Sequence, residues 1–259
     1  MVQSLALALL FLSFVTPASA EPVGKVLAVS GAAQAHATAG GQRVLAQDAV
    51  VERGDTLITG ADGNLQVRFV DGALLMVRAN SRIRVDDYRA EGNTLHSVMS
   101  LLAGGIRTLT GRIGTVRRDA YLMNTATASI GVRGTDYELR LCAGDCPAGS
   151  ADGLYLGVAE GEIEARNEAG TFGLKAREYG LIRSKTAALE KLACPPEALT
   201  GVPCARDGTV IGIDPGSGSR ADDPATGYRA GEERESDGYR SQFLRGVPCG
   251  ANRNSPPCP

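Results

Sequence analysis

From residue 22 to about residue 185 this chain alternates apolar and polar side chains in short runs cut by glycine. In the stretch 64–69, Leu65, Val67 and Phe69 point one way and Gln66 and Arg68 the other. A period of two belongs to a strand with one buried face, because successive side chains leave opposite sides of the backbone. Asp71-Gly72 then turns the chain into the apolar run 73–77, which reads as a hairpin. Residues 81–86, 137–141, 161–165 and 179–182 alternate again. Turn signals recur about every 8–12 residues, which predicts an all-β protein, a multi-stranded sandwich or roll of short antiparallel strands. The run 96–102 around His96 reads as strand rather than helix, because Gly104-Gly105 ends it and alternation resumes at Ile106. Residues 29–35 and 158–165 echo each other, each reading as strand, glycine turn and strand, which fits either a repeated β unit or the reuse of a turn common to β domains.

Two regions depart from this pattern. Residues 5–15 are continuously apolar, and Ala18 and Ala20 fit a small-residue cleavage site. The predicted segment 1–20 is therefore a signal peptide with Glu21 as the mature N-terminus. The run is too short to span a bilayer, which needs about 20 apolar residues. No later run is apolar enough to span, so no membrane span is predicted after cleavage, and the predicted location is periplasmic or secreted. At the other end, residues 186–192 read as a short helix stopped by Pro195-Pro196. Residues 186–204 then form a helix and cysteine loop that follows the β domain of 21–185. Residues 205–259, rich in glycine, proline and charge, read as a flexible tail.

All six cysteines follow the apolar leader. An even count in an exported chain favours disulfides, and the spacing suggests Cys142 with Cys146, Cys194 with Cys204, and Cys249 with Cys258. No second Cys/His pair accompanies the 142–146 segment, so a zinc site is not predicted. No metal or cofactor is predicted elsewhere, and Asp222, Asp223, Glu232 and Glu233 read as solvated charge.

A formal net charge of −2 leaves no basic footprint for nucleic acid. There are two histidines, His36 and His96, and neither accompanies a nucleophile elbow, a zinc motif or a phosphate-binding loop. No catalytic residue is assigned. Asp55 and Asp71 each adjoin a glycine, Gly54 and Gly72, and read as turn formers before they read as a carboxylate pair. Gly131, Arg133, Gly134 and Thr135 read as a tight turn between two strands. Arg133 there either clamps a ligand or, the favoured reading, locks the turns by forking onto carbonyls or onto a carboxylate such as Asp55 or Asp71.

Several of these stretches occur together in one known family. The elements 54–60 (Gly54-Asp55 to Thr59-Gly60), 69–72 with Asn80-Ser81, 102–107 (Leu102 to Arg107), and Thr125 with 130–135 resemble the ordered motifs of the FecR domain. The resemblance runs from about Val23 to Ile182. It implies an all-β module of the bacterial envelope without enzymatic activity, working in recognition, scaffolding or signal sensing. The family's best-known members resemble membrane-spanning regulators of sigma factors with a cytoplasmic segment before the span; neither segment is expected here, so direct sigma-factor regulation is not implied. The partner expected is an envelope protein or a cell-wall glycan. A carbohydrate- or peptidoglycan-binding module is the rival reading, and it would need exposed aromatics among Tyr88, Tyr121, Tyr137, Tyr155 and Tyr179. An envelope hydrolase is a third, and it would need a cleft with a nucleophile or perturbed acids.

Overall fold

The computed structural model describes residues 21–202 and 204, with Asn93 excepted. The predicted signal peptide, the tail 205–259 and the Cys249–Cys258 pairing lie outside the described residues.

The chain runs β1 (Pro22–Ser30), β2 (Ala33–His36), β3 (Gln42–Val44), β4 (Val50–Glu52), β5 (Thr56–Thr59), β6 (Asn64–Phe69), β7 (Leu74–Val77), β8 (Arg82–Glu91) and β9 (Thr94–Leu109). A short helix α1 (Arg112–Val116) and a 3-10 turn (Arg118–Ala120) lead to β10 (Tyr121–Asn124), β11 (Ser129–Cys142), β12 (Gly153–Asn167), β13 (Gly170–Lys175), β14 (Tyr179–Ile182), β15 (Glu190–Leu192) and α2 (Glu197–Thr200). The all-β expectation holds. Three strands are long, however, with 16, 14 and 15 residues in β9, β11 and β12. The pairing of β10 with β9 is parallel, so the sheet is mixed.

The long strands change partners along their length. The first half of β9 lies between β8 and β10, and its second half between β7 and β11. The second half of β12 holds β13, and its first half holds β14. One continuous ribbon of hydrogen-bonded strands is thereby folded into two layers. The first layer runs β4-β1-β6-β7-β9-β11-β12-β14-β15, and the second β3-β2-β5-β8-β9-β10-β11-β12-β13. The inward residues of both layers, such as Val67, Leu75, Ile106 and Leu139 on one side and Leu57, Val85, Met99 and Ile163 on the other, merge into one core. Aromatic contacts bridge the layers. Phe69 stacks on Tyr88 at 4.4 Å, and Tyr121 meets Tyr137 edge-on at 6.5 Å. With no Trp and five Phe in the chain, aliphatic side chains fill most of this thin interior.

A similar pair of backbone hydrogen bonds occurs beside each of the segments 29–35 and 158–165 that echo each other in sequence. Val26 gives its N–H to Ala49 and takes one from Asp48; Val158 gives its N–H to Glu178 and takes one from Arg177. Asp48 and Arg177 both have positive φ, at 65° and 66°. Gly31 and Gly161, aligned by the echo, also have positive φ, at 62° and 80°. At Gly31 the chain breaks between β1 and β2, whereas at Gly161 it continues as one bent strand.

The helix expected over residues 186–192 is not formed. Residues 190–192 pair with β14 as an edge strand, and the helix α2 begins after the prolines, with Pro196 as its N-cap. Proline is compatible with a helix start, because the first N–H groups have no intrahelical partner. The Cys142–Cys146 and Cys194–Cys204 disulfides are both present.

Candidate functional site

The motif residues first account for how the ribbon bends. At one corner Ser81 Oγ accepts the N–H of Gly105 at 2.8 Å and donates to its carbonyl at 3.1 Å. Ser81 N–H donates to Thr59 Oγ1 at 3.0 Å, and Thr59 Oγ1 donates to Arg78 O at 2.5 Å. Asn80 N–H bonds the carbonyl of Gly60 at 2.9 Å. Thus the elements 54–60, 80–81 and 102–107 meet at one point, where β9 crosses between layers.

Asp55 is 1% exposed. Its carboxylate takes both Nη1 (3.0 Å) and Nη2 of Arg43 and the N–H of Glu52 at 2.8 Å. Asp71 accepts the hydroxyl of Tyr88 at 2.5 Å, the N–H of Ala73 at 3.0 Å and the N–H of Ile113 at 3.1 Å. The two acids therefore serve different neighbourhoods and are not brought together. Gly54 and Gly72 both take φ near +89°, as turns beside these acids require. Arg43, the partner of Asp55, was missed in the sequence. It lies 12 residues away on another strand, with no local signal of the pairing.

Residues 131–135 are not a turn between two strands. They lie within the single strand β11, where its register against β12 shifts between Arg133 and Asp136. The glycines serve a bulge, which bends a strand without ending it. Gly134 takes φ +58°, facing Gly161 at +80°. Thr135, 1% exposed, holds the bulge closed. Its hydroxyl donates to Glu162 O at 2.8 Å and accepts Arg133 N–H at 3.0 Å, while its own N–H donates to Thr110 Oγ1 at 2.8 Å. Arg133 is corrected as well. It does not lock a turn or reach Asp55 or Asp71, whose oxygens are already occupied. Its side chain is 58% exposed, and its ion-pair contact is with Glu162 at 3.5 Å.

The bulge opens outward onto the second layer, whose outward residues Leu102, Leu122, Arg133, Glu164 and Thr171 are exposed. There a shallow groove of about 420 Å³ is lined by Asp119, Gly131, Arg133, Glu162, Glu164, Thr171 and Gly173. Gly131 and Gly173 form its floor, since a Cβ at either would meet no atom closer than 3.8 Å. The outer face of the first layer is different. The loop 142–146 and α2 sit over it, burying Tyr155, Leu181, Ala198 and Leu199. Beside them Arg107 grips Asp136 at 2.9 and 2.7 Å, and Arg78 joins Glu138 to the carbonyl of Leu199, both at 2.5 Å. Burial pushes the Glu138 carboxyl up in spite of Arg78 and Arg107.

The tyrosines are spent in the interior. Tyr88, Tyr121, Tyr137 and Tyr155 are 1%, 4%, 0% and 6% exposed. Burial pushes the Tyr137 hydroxyl up to about 12. Tyr121 and Tyr137 share a 2.5 Å hydroxyl contact. Tyr121→Phe is expected to cost about 1–2 kcal/mol, the usual penalty for stranding a buried polar group, and the double Tyr121→Phe/Tyr137→Phe less than the two single changes summed. Urea titrations of the three variants check this.

His36 is half-buried in β2, and the nearest acid to His96 is Asp87 at 3.8 Å. Neither forms part of a nucleophile and acid set. Among the described residues no cluster of three or more His, Cys, Asp or Glu could hold a metal ion. None of the described helices is long and apolar enough to cross a membrane.

Residues 55–164, the core of this double-layered unit, match the family described as FecR protein. The chain carries a FecR domain. The match takes in Asp55, Asp71, Gly104, Arg107 and the bulge at 131–135, the residues that bend and stitch the two layers. Two crystal structures of a proposed anti-sigma factor from Parabacteroides distasonis are similar to this chain at TM-scores of 0.40 and 0.41. They are 15% and 14% identical, over 52% and 53% of this chain and 57% and 58% of theirs. The FecR-domain chain thus covers less than two thirds of the length of those structures. A structure described as a cell surface anchoring domain matches at a TM-score of 0.24 and 25% identity, over 25% of this chain and 84% of that one. No curated protein matches the chain.

Proposed function

We propose that this FecR-domain protein is a non-catalytic recognition module of the bacterial cell envelope, which takes part in signalling by binding an envelope protein on the open face of its second layer. Membership of the family supports a signalling or sensing role. The observation that carries the finer reading is the glycine-floored groove beside Arg133. A cationic side chain that is 58% exposed, with one long contact to its own fold, is available to a partner. The two disulfides and the predicted leader support an extracytoplasmic site of action. The wall-binding rival loses its basis, since four of its five tyrosines are buried. The hydrolase reading loses Asp55 and Asp71, each already saturated by structural partners.

Two substitutions test this. Arg133→Ala is expected to change stability by less than about 0.5 kcal/mol, as surface changes do. Gly131→Leu fills the groove where the floor is open, also with the fold intact. A photo-crosslinker at Thr171 in living cells should capture one discrete envelope protein in the wild-type background and lose it in both variants. Recovery of cell-wall glycan alone would move the assignment to a wall-binding module. A large loss of melting temperature in Arg133→Ala would return Arg133 to a structural role.

A further inference from the structure

The Cys142–Cys146 disulfide lies against a guanidinium. Arg140 projects from β11 onto the covered face, and its stem passes over Gly105, where a Cβ would stand 3.1 Å from Arg140 Cδ. Its Nε donates to Cys146 Sγ at 3.3 Å. Its Nη2 donates to Asp145 Oδ2 at 3.0 Å and to the Asp145 carbonyl at 3.3 Å. The side chain is 13% exposed, so its charge is sheltered from solvent. The loop that carries Cys146 is pinned through Asp145 to Ala143 N–H at 3.0 Å and through Asp152 to Gly144 N–H at 2.7 Å. Cys142 is 3% exposed, whereas Cys146 is half-buried among exposed loop residues. Cys146 is thus the more exposed partner of the pair, and a guanidinium rests against its sulfur.

A cationic neighbour lowers a cysteine's pKa and stabilises the thiolate that reduction would produce. Such stabilisation of the reduced form makes a disulfide a better oxidant. We propose that Cys142–Cys146 is a thiol–disulfide exchange site that reacts with an external dithiol, with Arg140 holding the Cys146 thiolate. An external thiolate attacks Cys146 Sγ, the bond between the two sulfurs breaks, and Cys142 leaves and takes a proton. The second thiol of the external pair then attacks the mixed disulfide. Cys146 leaves as the thiolate against Arg140, and the external dithiol departs oxidised as its own disulfide. Two electrons pass from the dithiol to this protein. The exchange takes place beside the seat of α2, since Cys142 packs with Tyr155, Leu181, Ala198 and Leu199. Other charged and titratable groups on the elements packed there include Asp145 and Asp152 from the loop, Arg78, Arg107, Asp136, Glu138, Tyr155 and Tyr179 from the sheet, and Glu197 on α2. The Asp145 carboxylate offsets part of the guanidinium charge. The site stands independently of which partner the open face takes.

The test equilibrates the full oxidised protein with glutathione redox buffers, traps thiols with iodoacetamide and locates them by mass spectrometry. Cys142 and Cys146 are expected to open. Alkylation of Cys146 in the reduced pair should reach half-maximum at least one pH unit below the value of about 8.5 for a free cysteine. Arg140→Met should raise that midpoint, and Asp145→Asn, which frees the guanidinium, should lower it further. A Cys142–Cys146 bond that stays closed, an ordinary midpoint for Cys146, or midpoints unmoved in both variants would each overturn the proposal.

Discussion

Gly104→Ala is expected to cost about 2–5 kcal/mol. Gly104 has φ +77°, a region that costs an L-residue roughly 1–2 kcal/mol. The added Cβ would also stand 2.5 Å from Ser81 Cα and 2.6 Å from Asn80 O. Neither is the far end of a flexible side chain, so the corner itself must move, and overpacking of this kind typically costs about 1–3 kcal/mol. Gly72→Ala is the internal control. Gly72 has φ +89°, but its Cβ would meet nothing within 4 Å, so only the backbone strain of about 1–2 kcal/mol is expected. Urea denaturation at constant m-value separates the two. Equal losses would mean that the junction of Ser81, Asn80 and Gly104 yields easily and is not what fixes the bend in β9.

The second large effect is expected from Asp71→Ala, at about 3 kcal/mol. Three donors lose their acceptor together: the Tyr88 hydroxyl, the Ala73 N–H and the Ile113 N–H. Tyr88 is 1% exposed, so its hydroxyl has little water to turn to. A stranded buried donor costs about 1–3 kcal/mol, and the donors nearer the surface lose less. Adding Tyr88→Phe should recover part of the loss, because the hydroxyl that needed the acceptor is then gone. The single change Tyr88→Phe should cost less than Asp71→Ala. If the double variant were as unstable as the sum of the single ones, the Asp71–Tyr88 bond would not be the coupling between the β6–β7 turn and β8.

The strands were legible because alternation is a local property. Leu65, Val67 and Phe69 announce an inward face without reference to any other segment. The same pattern could not show that 129–142 and 153–167 are each one strand. Gly134 and Gly161 look like chain reversals in isolation, and only the register of β11 against β12 turns them into a paired bulge. The helix expected at 186–192 failed for a related reason. Its residues suit a helix, but an edge of β14 was waiting with unpaired backbone groups, and sheet pairing won.

The site was legible by position rather than by role. Arg133 stood out between two glycines, yet its exposure depends on Asp55 and Asp71 having been satisfied elsewhere by Arg43 and Tyr88. Those partners come from distant strands and leave no mark in the spacing. Cysteine spacing suggested Cys142 with Cys146, but the guanidinium against Cys146 arises from where β11 passes over Gly105.

By itself the sequence determined the class of fold, the positions of the glycine corners, the two cysteine pairs that are described, and the absence of a recognisable catalytic motif. These follow from periodicity, backbone freedom and residue chemistry, all of which act within a few residues. Only the tertiary structure decided that one ribbon doubles into two layers, that among the described residues α2 covers one face and leaves the other exposed, and which charges are spent on holding the fold. Those outcomes depend on which strands meet, and a long bent strand takes different partners at its two ends.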